Sequence, residues 1–187
     1  MKSILYFTLS VFIILTGCKN VNKNSLKTSV NQTQNETAIF KTQIENFYQA
    51  IQKNDKQSLA KFLSDKLLLI TKFGASYNIS QVDKNQVEES FLVPGMKILP
   101  IKFEPFPKID QNGQWKQKGI FIQKANENPI SQIAEMSPAN IDKNNVKKLD
   151  KQIKYIVLNT ELQIITYWGK QNDKWKILAV ELIENGI

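Results

Sequence analysis

Gln152-Ile153-Lys154-Tyr155-Ile156-Val157-Leu158-Asn159-Thr160-Glu161-Leu162-Gln163-Ile164-Ile165-Thr166-Tyr167-Trp168 is the stretch whose reading decides the fold. It contains no Gly or Pro. Its even positions from Ile156 to Trp168 (Ile156, Leu158, Thr160, Leu162, Ile164, Thr166 and Trp168) form one mostly apolar series. Side chains alternate across a strand, so a slip or tight turn would send that series to the opposite face. The unbroken parity predicts one long, curved strand with its even side on the core. The odd side carries Tyr155, Asn159, Glu161, Gln163 and Tyr167. If it lines a cavity, these residues and Tyr48 make a polar pocket. If it faces water, they are ordinary surface.

Downstream, residues 169–173 read as a turn and 174–184 as the last strand. Upstream, residues 125–150, with Pro129, Pro138 and many Asn and Lys, read as loop with one short helix. Pro94-Gly95 is a turn signal. Residues 97–104 alternate as a strand that Pro105 and Pro107 stop, because proline cannot donate to a ladder. The Phe103-Glu104-Pro105-Phe106-Pro107 segment is either that terminator or an exposed patch for a partner. Asn112-Gly113 is a hairpin signal, with 114–124 as the return strand.

The front of the domain is helical. Phe40, Ile44, Phe47 and Ile51 fall on one stripe. Thr33 and Glu36 have the spacing of a capping box. Asn54-Asp55 caps a second helix carrying Leu59, Phe62 and Leu63. Residues 66–73 suit a strand or a further helical turn, ended by Gly74, and 82–91 suit another short helix. Residues 19–35 are polar and lack periodicity, so they read as a flexible tether, roughly 20–25 Å from end to end.

The first residues read differently. Met1-Lys2-Ser3 supplies a positive start, Ile4–Leu15 is apolar, and Leu15-Thr16-Gly17-Cys18 follows. That run is shorter than the about 20 residues a spanning helix needs, and it fits the core of a signal peptide. Cys18 is the single cysteine, so it has no intramolecular disulfide partner. The segment resembles a bacterial lipobox. That resemblance implies cleavage between Gly17 and Cys18 and acylation of Cys18. The expected organisation is signal peptide 1–17, lipidated Cys18 and tether 18–35, and one α+β domain 36–187. Lys19-Asn20 lacks the acidic sorting signals of other lipoproteins, which favours the periplasmic side of the outer membrane.

All 25 basic residues are lysine, and histidine is absent. The net charge of +8 falls to +4 for the domain once Lys2, Lys19, Lys23 and Lys27 are set aside. Without arginine forks or aromatics beside the charge, nucleic-acid binding is not expected. Lys143, Lys147, Lys148, Lys151 and Lys154 read as a solvated face.

Ile44-x-x-Phe47-Tyr48-x-x-Ile51-x-x-x-Asp55-x-x-x-Leu59-x-x-Phe62-Leu63, together with Lys174-Trp175-Lys176-Ile177, resembles the nuclear transport factor 2-like fold. This is a cystatin-like cone of N-terminal helices on a curved antiparallel sheet. The resemblance covers about 60 residues and assigns no function. Ketosteroid isomerases of that fold use a tyrosine and an aspartate. The matching positions here are Phe47 and about Thr71, so that activity does not carry over.

With no histidine and one acylated cysteine, there is no Ser-His pair, imidazole metal site or thiolate. Ser58-Leu59-Ala60-Lys61 matches Ser-x-x-Lys, and Ser76-Tyr77-Asn78 a loose companion, but a Lys-Thr-Gly element is missing. Glu88-Glu89 point to different faces of a helix. Trp115, Trp168 and Trp175 read as packing residues. The expectation is a non-catalytic envelope lipoprotein without cofactor or metal, held by its lipid at the membrane and binding a small ligand, peptide or partner protein. An enzyme using carboxylate, tyrosine or lysine in the cone, or a purely structural role, is the alternative.

Overall fold

A computed structural model describes residues 23–73, 76–93, 96–137 and 142–183. The signal peptide, Cys18, Lys19-Asn20, Gly74, Pro94-Gly95 and Pro138 lie outside the described residues. The chain divides into Met1–Glu36 and Thr37–Ile187. Helix α1 runs Lys23–Gln52. Residues 23–35 are therefore helical, not an irregular tether, and Thr33 and Glu36 sit inside the helix instead of capping it. The segment has no Gly or Pro to stop it, and extending an existing helix needs no new nucleus.

The unit from Thr37 onward is α+β. Helix α2 (Lys56–Ala60) is capped by Asp55, whose side chain accepts from Ser58 N–H. Strands β1 (Leu63–Phe73) and β2 (Ser76–Asp83) pair antiparallel. Helix α3 (Lys84–Phe91) opens with a capping box of Asp83 and Gln86. Then come β3 (Ile101–Lys102), β4 (Ile120–Lys124), α4 (Pro129–Glu135) and α5 (Lys143–Asp150). The last three strands, β5 (Ile153–Asn159), β6 (Ile164–Gln171) and β7 (Lys174–Leu182), form an antiparallel meander.

These make one seven-stranded sheet in the order β2-β1-β7-β6-β5-β4-β3. It is mixed, because β1 lies parallel to β7 and β3 parallel to β4. The expected 97–124 hairpin is thus absent. Its turn survives as a single bridge, Ile109 to Trp115, with Gly113 at φ 76°. Residues 125–150 hold two described helices where one was expected. Phe62 and Leu63 follow α2 instead of sitting on it. The closing turn is Asn172-Asp173, both at positive φ, as a type I′ hairpin needs, and β6 runs on through Gly169. A Cβ on Gly169 would lie 2.3 Å from the Gln152 carbonyl, so only glycine lets β5 start this close.

The main correction concerns 152–168. Residues 160–163 turn, and two strands replace one. On β5 the odd residues Tyr155 and Val157 join the core facing the helices. On β6 the even residues Ile164 and Trp168 do so. Four turn residues, with Gln163 at φ 53°, exchange the parity. The even side of β5 is partly buried as well, from Ile156 onward, while Lys154 is exposed. Leu158 is fully covered, and Ile156 packs with Tyr167, Leu178 and Ala179 on the far side of the sheet.

Two apolar layers result. One joins Phe40, Ile44, Phe47 and Ile51 of α1 to Leu59, Phe91, Trp168 and Ile177. The other joins Ile130 and Ala134 of α4 and Val146 of α5 to Ile70, Ile79, Leu178 and Ala179. A sheet covered on both sides reads in sequence as nearly continuous apolar runs, as β6 and β7 do.

Candidate functional site

The residues expected to share one pocket occupy three places. Tyr48, Tyr155 and Asn159 lie inside the α1 side. Tyr155 stacks on Phe40 with ring centres 4.1 Å apart, and Phe47 meets Trp168 edge-on at 5.3 Å. Burial pushes the Tyr48 hydroxyl well above its usual range, and the Asn159 side chain pulls it partly back. Asn159 Nδ2 nevertheless makes no hydrogen bond of normal geometry, so the contact with Tyr48 is a poorly aligned one. Its Oδ1 is fully used: it accepts from Glu161 N–H at 2.9 Å and Leu162 N–H at 3.1 Å. Asn159 is therefore the device that closes the turn.

Tyr167 lies on the opposite side of the sheet. Its hydroxyl donates to Glu181 Oε2 at 2.6 Å; Tyr167 is buried and Glu181 half-buried. Burial raises the Glu181 carboxyl above the ordinary carboxylate range, while the Tyr167 hydrogen bond and Lys72 act against that rise. Burial, Glu181 and, more weakly, Tyr77 and Asp150 push the Tyr167 hydroxyl far up. Asp150 accepts from Ile130 N–H and Ser131 N–H, at 2.8 and 2.9 Å, and from the Ser131 hydroxyl. It ties the end of α5 to the start of α4.

Glu161 and Gln163 are at the surface. With Gln114, Trp115, Lys118 and Thr160 they line an open hollow of about 270 Å³. Both walls are held by side-chain bonds to backbone. Asp110 Oδ1 accepts from Asn112 N–H and Gln114 N–H, which shapes the turn before Trp115. Thr160 Oγ1 accepts from Gly119 N–H at 2.9 Å, and Thr160 N–H donates to the Gly119 carbonyl. Gln163 is held in the left-handed region, rare for a residue of its type, and its carbonyl accepts from Ile183 N–H. Trp168 and Trp175 are core residues, whereas Trp115 is half-buried at this hollow. The signals in sequence were the Asn112-Gly113 turn just before Trp115 and the turn-forming Asn159. Their meeting in space is set by the β4–β5 pairing.

The remaining motifs lie outside this hollow. Ser58 and Lys61 share a hollow with Asp55. Hydrogen bonds from the Ser58 side chain and backbone hold the Asp55 carboxyl below its usual range, so that serine serves the cap. Lys61 is exposed, without the desolvation a lysine base needs. Glu89 pairs with Lys56 at 3.5 Å on the surface. Phe103 is 40% exposed where the chain leaves β3. The five lysines of 143–154 are exposed. Among the described residues, no group of three His, Cys, Asp or Glu side chains is placed to hold a metal ion. No helix among them is long and apolar enough to cross a membrane. No known protein family, curated protein or solved structure matches this chain.

Proposed function

We propose that this chain is a lipid-anchored envelope protein whose α+β domain is a non-catalytic binding module. Its ligand or partner meets it at the hollow formed by the β5–β6 turn and residues 114–118. One contrast carries this reading. The side chains between sheet and helices are packed ring against ring, while the mixed polar and aromatic groups that could meet a ligand gather at that hollow. The anchor rests on Leu15-Thr16-Gly17-Cys18. The location in view is the outer membrane, on the periplasmic side.

The nuclear transport factor 2-like cone remains the fold proposal. The two N-terminal helices against the sheet and the closing meander support it. The single long strand, which had been its main support, is replaced by a hairpin, and α4 and α5 add a layer on the other side.

Labelling cells with a palmitate analogue tests the anchor. Label in the wild type and none in Cys18→Ser is the expected result; equal label in both sinks it. A second reading, an enzyme, is favoured by one observation, the half-buried Glu181 carboxyl on the Tyr167 hydroxyl with Lys72 nearby. An activity found in the wild type and lost in Glu181→Gln, at unchanged stability, would replace the binding reading.

A further inference from the structure

We infer that the hollow at the β5–β6 turn is a saccharide subsite, with Trp115 as the platform for one face of a sugar ring. The inference rests on the binding-module reading and names its ligand class. The lining combines one indole, two carboxamides (Gln114 and Gln163), one ammonium (Lys118) and one carboxylate (Glu161), beside Thr160, whose hydroxyl is taken up by the Gly119 backbone. Each carboxamide both donates and accepts, which suits hydroxyl groups that do the same. Lys118 and Glu161 cancel in charge and form no ion pair within 4 Å among the described residues. The lining thus selects neither a strong anion nor a strong cation. An indole offers a rigid apolar surface with few rotors to freeze, and a pyranose presents a ring face of C–H groups ringed by hydroxyls. A hollow of about 270 Å³, open to solvent, takes one such ring and leaves the rest of an oligosaccharide outside.

The walls are set before any ligand arrives. Asp110 shapes one side, and Asn159 and Thr160 shape the other. Gln163 is held at φ 53°, an uncommon backbone state for glutamine that places its side chain on the hollow. Preorganisation of this kind lowers the ordering cost of binding a small, weakly held ligand. An amino-acid zwitterion could also span Lys118 and Glu161. Exposed charges in water contribute little, however, and that mode leaves the two carboxamides unused.

The test is titration of the ¹⁵N-labelled full chain, purified in a detergent without a sugar headgroup. The probes are neutral hexose and N-acetylhexosamine tetrasaccharides and, separately, a zwitterionic dipeptide. The three indole N–H signals are the readout, with Trp115 assigned from Trp115→Phe. The expected result is a saturable shift of the Trp115 signal with a saccharide, while Trp168 and Trp175 stay still. Trp115→Ala and Gln163→Gly should each weaken binding at least tenfold. Glycine accepts the positive φ at 163, so the second variant keeps its fold where the first loosens the loop. A Trp115 shift with the dipeptide and with no saccharide overturns the ligand class and leaves the hollow as the site. A saccharide response that both variants retain, or a panel without any response at Trp115, overturns the subsite. The binding-module reading itself fails separately, if envelope components crosslink equally to the wild type and to both hollow variants.

Discussion

On the α1 side of the sheet, Phe40, Phe47, Tyr155, Trp168 and Trp175 touch ring to ring, and the Trp168 indole donates to Thr166 Oγ1 at 2.7 Å. On the α4–α5 side the apolar residues are smaller, and two carboxylates sit among them, the buried Asp150 on the α4 backbone and the half-buried Glu181 on Tyr167. Both sides exclude water, but they respond to different perturbations. The first is held by area and shape, the second by a few polar contacts whose loss leaves a buried group unsatisfied. The first should therefore answer mainly to volume, and the second to hydrogen bonding and pH.

The largest effect is expected at Trp168, which is fully covered. Trp168→Ala should cost about 3–5 kcal/mol in urea unfolding at any pH where the fold is stable. A loss below about 1 kcal/mol would mean that this side is loosely packed and the contrast is false. Next comes Asp150→Ala, which removes the acceptor of three donors at the start of α4. A cost of about 1–3 kcal/mol is expected. Hydrogen exchange should rise first in α4 and α5 and not in α1.

A smaller effect, and the sharpest in character, is the pH response of Glu181. Its carboxyl is raised in the folded state, so the folded protein keeps a proton that the unfolded chain releases. Stability therefore falls as pH rises from the ordinary carboxylate value through the folded one, then levels off. Glu181→Gln should remove that slope and leave the protein at least as stable at neutral pH. Asp55 and Asp65, whose carboxyls are held low by Ser58 and Lys84 hydrogen bonds, act in the opposite sense at lower pH. The comparison is thus the difference between the variant and wild-type profiles. An identical slope in both would place Glu181 in water.

The contrast between the two sides also explains what could be read from the chain. The stripe Phe40, Ile44, Phe47 and Ile51 was legible because a helix against one layer has a period. The Asp55 cap and the strand around Trp175 were legible for the same local reasons. The α4–α5 layer was not. Helix α5 buries Val146 and Asp150 behind a run of lysine and asparagine, too few apolar positions to declare a stripe. The turn at 160–163 had one signal, Asn159 just before it, which was outweighed because the turn contains no Gly or Pro and apolar residues continue on both sides of it. Its left-handed residue is a glutamine, which gives no turn signal. Burial of Val157, Leu158 and Asn159 in succession at the end of β5 also removed the alternation just before the change of parity. Of the candidate site, Glu161 and Gln163 were visible, but Trp115 and Lys118 join them only through strand pairing distant in sequence.

Everything proposed for the hollow depends on that turn, and paired unfolding of Asn159→Ala and Glu161→Ala tests it most directly. One continuous strand with its odd side in water would leave both variants near wild type, and an odd-side pocket would make both matter. With the turn, Asn159 holds two backbone N–H groups from a buried position, and Glu161 stands in solvent. The urea midpoint should then drop for Asn159→Ala by the equivalent of about 1–3 kcal/mol, while Glu161→Ala stays at the wild-type value. Two unchanged midpoints, or two equal losses, would contradict the hairpin and the hollow built on it.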